Sequence, residues 1–308
     1  MKLGFLYAGQ GSQHVGMGQD LYVAYSAFQK IFDHVSPGFD LKTACFEDPD
    51  GVLNETQITQ PCMVAFAAGL TAILREAGIA PATVAGLSLG EYAALHAAGV
   101  FDAATAIHLA AFRGKAMQEA VAGLDCSMMA VLGLSREPLL AACQEASTLG
   151  VVEIANYNCP GQMVIGGETA AVNRAAALAK ENGAKRCMPL RVSGPFHTSL
   201  LKPAGDALRK YLKSSDFLEP QIPVIFNCLG TVKSPTDTIP ALLERQVKSS
   251  VYLEDSIRSM ASLGVDTVVE IGPGKVLSGF VRKTAPELTV YSVETAADVE
   301  SLLMVLCG

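Results

Sequence analysis

Ser88 is the residue of this chain whose surroundings most clearly suggest covalent chemistry. It lies in Gly86-Leu87-Ser88-Leu89-Gly90, after the apolar segment 82–85 and before an alanine-rich run. A strand, a Gly-x-Ser-x-Gly turn and a helix form a nucleophile elbow, in which side chains two residues either way from the serine would collide. The pattern predicts a serine nucleophile whose next amide, on Leu89, can stabilise an oxyanion at a helix N-terminus. The alternative is a serine that caps an ordinary helix.

His197 is the histidine best placed to act on such a serine, because a hydroxyl needs a base to become a nucleophile at neutral pH. It lies in the loop 192–198 with Gly194 and Pro195, whereas the other four histidines lie within or near predicted helices. Loop histidines held by glycine and proline are well suited to catalysis. The hypothesis requires His197 to reach Ser88. The alternative is a histidine that caps the helix after it.

Two further features fit acyl transfer. Gly9-Gln10-Gly11-Ser12-Gln13 follows the first predicted strand, and amides in such a turn can point at a developing oxyanion. The alternative is a phosphate-binding loop. However, the segment lacks the Lys-Ser/Thr ending of a Walker A motif and the third glycine of a dinucleotide-binding motif. Arg113 lies mid-helix among apolar residues. Such an arginine must either bind an anion or reach solvent, and its planar guanidinium is suited to binding a carboxylate.

The predicted elements alternate between strands and helices. Strands are predicted at 2–7, 224–227, 267–271 and 289–293, and helices at 20–35, 60–77, 90–98 and 103–122. The segment 125–192 has the order β-α-β-β-α-β of a ferredoxin-like unit, with its last strand at 185–192. We therefore predict an α/β protein with a large parallel-sheet domain, residues 1–124 and 193–308, and a small inserted domain, residues 125–192.

The amino-acid composition limits the classes of protein to which this chain could belong. Half of the 308 residues are hydrophobic and 17% are charged, which suits helices packed on a buried parallel sheet. The net charge of −7 argues against nucleic-acid binding. The longest apolar run, Cys62 to Leu74, is too short to span a bilayer, and no signal peptide is evident, so no membrane role is expected. Eight cysteines without a Cys-x-x-Cys pair favour free thiols in the cytoplasm, and five scattered histidines argue against a metal site.

Four landmarks, in this order, resemble the malonyl-CoA:acyl carrier protein transacylases, the acyltransferases of fatty acid and polyketide synthesis. They are Gly9-Gln10-Gly11-Ser12-Gln13, Gly86-Leu87-Ser88-Leu89-Gly90-Glu91-Tyr92, Gly194-Pro195-Phe196-His197 and Glu270-Ile271-Gly272-Pro273-Gly274. The resemblance covers essentially the whole chain and is far more specific than any one landmark. It implies an α/β-hydrolase-like large domain with a ferredoxin-like insert.

The resemblance also implies a ping-pong transfer of malonyl from coenzyme A to acyl carrier protein. Ser88 is then the nucleophile and His197 the general base, with oxyanion amides on Gln10 and Leu89. The coenzyme A thioester is a substrate, so no resident cofactor is expected, and a monomer is the default expectation.

Specificity and orientation are implied for three more residues. Arg113 pairs with the malonyl carboxylate, Phe196 disfavours an α-methyl group, and the backbone carbonyl of Gln246 orients the histidine. The chain departs from the family at Leu87, where histidine is usual, and at Ala8, where proline is usual.

Two other function classes remain open at this point. A serine hydrolase or thioesterase would use the same serine and histidine, but it usually has an acidic residue between them in chain order, and no persuasive one is found. A non-catalytic binding module for the carrier protein or coenzyme A is the second alternative.

Overall fold

The computed structural model describes residues 1–307, without the side chain of Cys307, so the free thiol expected there lies outside the described part. The α-helices are, in chain order, α1 (Gln19–Ala24), α2 (Ser26–His34), α3 (Thr56–Glu76), α4 (Gly90–Ala97), α5 (Ala103–Ala120), α6 (Arg136–Ala146), α7 (Thr169–Glu181), α8 (Lys202–Leu212), α9 (Ile239–Val247), α10 (Leu253–Ser262), α11 (Val276–Thr284) and α12 (Ala296–Cys307).

The β-strands are β1 (Leu3–Tyr7), β2 (Thr83–Gly86), β3 (Cys126–Leu132), β4 (Val152–Cys159), β5 (Gln162–Glu168), β6 (Arg186–Pro189), β7 (Ile225–Phe226), β8 (Thr231–Val232), β9 (Val251–Tyr252), β10 (Thr267–Ile271) and β11 (Thr289–Val293). A π-helical turn, Thr43–Glu47, and two 3₁₀ turns, Ser147–Leu149 and Ser199–Leu201, join them.

Several element bounds differ from the prediction. The single helix predicted at 20–35 is two helices, because Tyr25 between α1 and α2 has an extended backbone. α3 begins four residues before the predicted start, because three of the first four residues are polar and do not continue the hydrophobic pattern. The hydroxyl of Thr59 there donates to the carbonyls of Leu53 and Glu55. β6 is shorter than the predicted strand 185–192.

The chain forms two compact units, and the first contains residues 1–114, 216–226 and 257–308. Its sheet is parallel, in the order β11-β10-β1-β2. β2 and β10 are buried throughout, as expected for strands covered on both faces. The predicted strand 224–227 meets this sheet through a parallel bridge from Val224 to Val84.

The second unit contains residues 115–215 and 227–256. Its sheet has the order β6-β3-β5-β4-β9, with β4 and β9 parallel and the other pairs antiparallel. α6 and α7 bury apolar side chains against it, including Leu139 and Val172, and Ile165 of β5 belongs to the same buried cluster. The predicted order β-α-β-β-α-β is observed from β3 to β6.

The second unit is larger than the predicted small domain of residues 125–192. Two of the additional segments contact β4. The amide and hydroxyl of Ser199 donate to the carboxylate of Glu153 at 2.9 and 2.6 Å. The hydroxyl of Ser250 donates to the carbonyl of Ile154 at 2.6 Å, beside the pairing of β9 with β4.

α3 is long and apolar enough to cross a membrane, unlike the shorter run Cys62 to Leu74 on which the sequence expectation was based. Its 18-residue window has a mean hydropathy of 1.4, and 83% of that window is buried inside the protein. A core helix has the same length and hydropathy as a membrane span, and this burial is that of a core helix.

Neither a metal-binding cluster nor a disulfide is found among the described side chains. Within residues 1–307, no group of three or more His, Cys, Asp or Glu side chains could hold a metal ion. The described cysteines are free thiols: Cys45, Cys62, Cys126, Cys143, Cys159, Cys187 and Cys228.

Glu270, in the last sequence landmark, stabilises the start of α11. It is 1% exposed on β10, and its two carboxylate oxygens accept the backbone N–H groups of Leu277 and Ser278 at 2.9 and 2.8 Å. We expect Glu270→Ala to lower the free energy of unfolding by about 3 kcal/mol, because two buried amides lose their acceptor. Urea denaturation measures this loss. Glu270→Gln retains one acceptor oxygen and should lose less, so equal losses for the two variants would contradict the capping role.

Candidate active site

Ser88 lies at the sharp turn between β2 and α4. Its φ of 55° is in the left-handed region, which costs a non-glycine residue about 1–2 kcal/mol. A Cβ on Gly86 would lie 2.1 Å from the carbonyl carbon of Gly90, and one on Gly90 would lie 2.4 Å from the carbonyl oxygen of Tyr7. The predicted collision of side chains on either side of the serine is thus confirmed.

Two backbone amides near Ser88 are available to an oxyanion. Within residues 1–307, neither the N–H of Leu89 nor that of Gln10 donates a hydrogen bond. The glycine-rich loop approaches the elbow closely, since a Cβ on Gly9 would lie 2.7 Å from the carbonyl oxygen of Leu87. The side chain of Gln10 donates to the hydroxyl of Thr56 at 3.2 Å.

Arg113, on α5, is completely buried. One terminal nitrogen donates to Gln60 Oε1 at 2.7 Å, and the other donates to Ser88 Oγ at 3.0 Å. Burial lowers the pKa of Arg113, while nearby Tyr92 and Glu91 act in the opposite direction. A guanidinium nevertheless keeps its proton in proteins. The alternative in which Arg113 reaches solvent is wrong, and a buried cation lies in contact with the Ser88 hydroxyl.

Sequence reasoning missed two residues that hold this cation. Gln60 is 1% exposed and supplies a neutral acceptor to Arg113. Its only signal in the sequence is an amide directly before Pro61, at the start of a long apolar run. The ring of Tyr92 lies 5.6 Å from the guanidinium carbon, within the range of a cation–π contact. Burial raises the pKa of the Tyr92 hydroxyl, so it stays neutral beside the guanidinium.

His197 belongs to the second unit. It is 4% exposed and also has a left-handed backbone, with φ at 63°. Its Nδ1 lies 2.9 Å from the backbone carbonyl oxygen of Gln246 at the end of α9. Because a carbonyl only accepts, Nδ1 carries the proton, which leaves the lone pair of the neutral imidazole on Nε2. The Nδ1 bond therefore runs to α9, and not to the helix after His197.

The loop around His197 is held by short local hydrogen bonds. The hydroxyl of Thr198 donates to the carbonyl of Pro195 at 2.6 Å, and the amide of Phe196 donates to the carbonyl of Gly194 at 2.9 Å. A Cβ on Gly194 would lie 2.7 Å from the side chain of Val121, so glycine is required for this packing. Phe196 is buried. These contacts fix the backbone that carries the imidazole.

Each unit thus contains a distinct part of the chemistry. The first contains a strained serine, two amides able to bind an oxyanion and a buried guanidinium. The second contains a buried histidine in the tautomer that accepts a proton at Nε2. Carboxylate recognition, acyl transfer and general-base catalysis are the functions that these groups can supply.

Comparisons with known proteins agree with this chemistry. A family model described as the acyl transferase domain matches residues 4–304. The malonyl CoA-acyl carrier protein transacylase of Bacillus subtilis (strain 168) is 40% identical over 308 residues, which is 99% of this chain and 97% of that protein.

Solved structures give the same result. The crystal structure of the malonyl CoA-acyl carrier protein transacylase from Clostridium perfringens has a TM-score of 0.96 at 40% identity and covers 100% of this chain and 98% of that chain. A type II PKS acyl-carrier protein in complex with its malonyl-transacylase gives a TM-score of 0.95 at 37% identity, with 99% and 100% coverage. This chain therefore belongs to the acyl transferase domain family, among the malonyl CoA-acyl carrier protein transacylases.

Proposed function

We propose that this chain transfers a malonyl group from coenzyme A to the phosphopantetheine thiol of acyl carrier protein, supplying extender units for fatty acid or polyketide synthesis. The transacylase relatives support this acyltransferase function. The observation that carries the proposal is the buried Arg113 nitrogen 3.0 Å from Ser88 Oγ. In a malonyl-serine ester, one methylene separates the carboxylate from the ester carbonyl. A cation in contact with Oγ is therefore within reach of that carboxylate.

The proposed cycle has two half-reactions. His197 accepts the Ser88 proton while Oγ attacks the thioester carbonyl, and the amides of Leu89 and Gln10 stabilise the oxyanion by a few kcal/mol per donor. The tetrahedral intermediate expels the coenzyme A thiolate, which takes the proton from His197, and leaves malonyl-serine. The thiol of the carrier protein then gives its proton to His197 and attacks the ester carbonyl. Breakdown of this intermediate forms the malonyl thioester, and Ser88 Oγ leaves and takes the proton back from His197.

The partner of His197 supports the choice of leaving group. The carbonyl of Gln246 is neutral and stabilises an imidazolium less than the carboxylate of a hydrolytic triad does. A thiolate, from a thiol of pKa about 8.5, needs less proton donation than a departing amine. Orientation of His197 by Gln246 therefore suits a thioester substrate.

Phe196 is proposed to favour malonyl over methylmalonyl by filling the space that an α-methyl group would need. Its buried side chain directly precedes His197. We expect Phe196→Ala to raise the kcat/KM for methylmalonyl-CoA relative to malonyl-CoA by about 10- to 100-fold, the usual effect of one methyl group in an apolar site. Competition between the two thioesters measures the ratio. An unchanged ratio would remove Phe196 from the specificity determinants.

Several broader properties are also proposed. The strand order of β3 to β6 supports a ferredoxin-like classification for residues 125–192, and the parallel sheet of the first unit supports an α/β-hydrolase-like one for 1–124 and 193–308. The structure of a relative with its carrier protein supports acyl carrier protein as the partner. We further propose a cytoplasmic monomer without a resident cofactor, which binds neither nucleic acid nor membrane.

Intact-protein mass spectrometry after exposure to malonyl-CoA tests the function. The expected result is a mass gain of one malonyl group, mapped to the peptide that contains Ser88 and removed on addition of holo acyl carrier protein. Release of free malonate without transfer would instead indicate a thioesterase. An unmodified protein would indicate a binding module.

A further inference from the structure

The loop between β1 and α1, residues 8–18, contains the Gln10 amide proposed as an oxyanion donor and three glycines with a left-handed backbone. Gly11, Gly16 and Gly18 have φ values of 111°, 89° and 81°. A Cβ on Gly11 or Gly16 would meet nothing within 4 Å. A groove of about 590 Å³ borders the second half of the loop. Because glycine leaves a backbone free to move, the position of the Gln10 amide depends on the contacts that hold the 8–18 loop.

At the start of this loop the amide of Ala8 donates to the carbonyl of Ile271, and the side chain of Gln10 donates to Thr56. Three further polar contacts join residues 13–16 to distant segments. The side chain of Gln13 donates to Asn54 at 2.8 Å. The amide of Gly16 donates to the carbonyl of Cys45, also at 2.8 Å. The third contact is charged, and joins His14 Nε2 to Glu294 Oε1 at 2.5 Å. It is the contact whose strength depends on a proton.

Glu294 reaches the loop across one edge of the parallel sheet. It directly follows β11, and its second oxygen accepts the amide of Gly274 at 2.9 Å in the turn after β10. Since β10 lies between β11 and β1, one carboxylate joins the segments after three neighbouring strands. Glu294 is itself held, because its amide donates to Asp298 at 3.1 Å.

His14 faces hydrogen-bond acceptors with both ring nitrogens. Nδ1 lies 3.0 Å from the carbonyl oxygen of Val15, and Nε2 contacts Glu294. Only the imidazolium can donate to both acceptors. In agreement, the hydrogen bond to Glu294 and then that to Val15 raise the pKa of His14 above its ordinary value of 6.5. The stabilisation from this ion pair is therefore fully present below pH 6.5, and it is lost as the pH rises through the raised pKa of His14.

We propose that His14 and Glu294 are positioning residues that hold the 8–18 loop, and with it the Gln10 amide, in the geometry that stabilises the oxyanion. The inference rests on the proposed malonyl transfer. Other charged groups near this contact are Asp20, which lines the same groove, and Asp298. Lys275 acts electrostatically on Asp298. Histidine is the side-chain type whose ordinary pKa lies nearest this pH range, so His14 is the group whose change of charge the test follows.

The test compares kcat for malonyl transfer in wild type, His14→Gln and Glu294→Gln across pH 6 to 8.5. We expect the ratio of wild-type to variant kcat to be about fivefold near pH 6, the upper range for a partly exposed ion pair. It should fall towards unity as the pH rises, and the KM for malonyl-CoA should change by less than about twofold. Using a ratio cancels the pH effects that all three proteins share.

Controls separate positioning from a general loss of stability. Asp33→Asn breaks another ion pair of the same unit, Lys42 to Asp33 at 2.7 Å, and should leave the kcat ratio at unity across the pH range. The double variant of His14 and Glu294 should lose no more activity than either single variant, since both remove the same contact. By NMR, the His14 titration midpoint in Glu294→Gln should move down towards 6.5.

A kcat ratio that is flat with pH, or a His14 midpoint unmoved in Glu294→Gln, would overturn the inference. Malonyl loading of the wild-type protein is measured in parallel. If the wild type is loaded and the ratio is flat, only the positioning role fails. If the wild type is never loaded, the proposed function itself fails.

Discussion

Replacing Ser88 with alanine is expected to abolish malonyl-enzyme formation and to lower kcat for transfer by about 1,000-fold or more. The hydroxyl is the atom that forms the ester, and the neighbouring amides can polarise a thioester but cannot replace a nucleophile. Radiolabelled malonyl-CoA, followed by protein precipitation and counting, measures the covalent adduct. Label retained at the wild-type level in Ser88→Ala would show that another residue carries the acyl group.

A matched control excludes unfolding as the cause. Ser262→Ala removes an exposed hydroxyl of the same unit, which donates to the carbonyl of Arg258 at 3.0 Å, and should load normally. Alanine at position 88 keeps a Cβ in the same left-handed backbone, so the thermal midpoint should stay close to that of the wild type. Loss of label with an unchanged midpoint assigns the effect to chemistry.

Replacing Arg113 with alanine is expected to lower kcat/KM for malonyl-CoA by about 100-fold or more, while acetyl-CoA loses far less. A substrate carboxylate left unpaired in a site with little water costs several kcal/mol, and an acetyl group has no carboxylate to leave unpaired. Steady-state kinetics with both thioesters gives the preference. An equal fall for both donors would mean that Arg113 supports the fold and does not recognise the carboxylate.

Substitutions of Arg113 and Gln60 distinguish the charge of Arg113 from its volume. Arg113→Met keeps much of the side-chain length without charge and should give the same change of preference with a smaller loss of stability. Gln60→Glu places a carboxylate where a neutral oxygen now lies 2.7 Å from the guanidinium. That carboxylate would compete with the substrate for Arg113, so malonyl activity should fall by about 10-fold or more. Unchanged malonyl kinetics in Gln60→Glu would show that the neutrality of position 60 does not matter.

Local patterns of sequence were sufficient for much of the protein. The Gly-x-Ser-x-Gly pattern predicted the turn between β2 and α4, because the collision that excludes side chains at Gly86 and Gly90 involves atoms only a few residues away or in the adjacent strand. Strand positions and the order β-α-β-β-α-β were likewise predicted by short-range periodicity and turn residues. The predicted start of a helix was wrong where the helix begins with polar residues, as α3 does at Thr56.

Contacts between distant residues were decided only by the tertiary structure. Gln60 and Arg113 are 53 residues apart, and His14 and Glu294 are 280 apart, so no local pattern brings them together. Every residue type has a backbone carbonyl, so the sequence pattern does not distinguish that of Gln246. Its assignment came from family resemblance. The sequence by itself determined the serine, the histidine and the glycine turns, because these depend on local backbone geometry. Burial of the Arg113 charge and the partners that hold it depended on how the chain packs, since desolvation is set by all the atoms around a group.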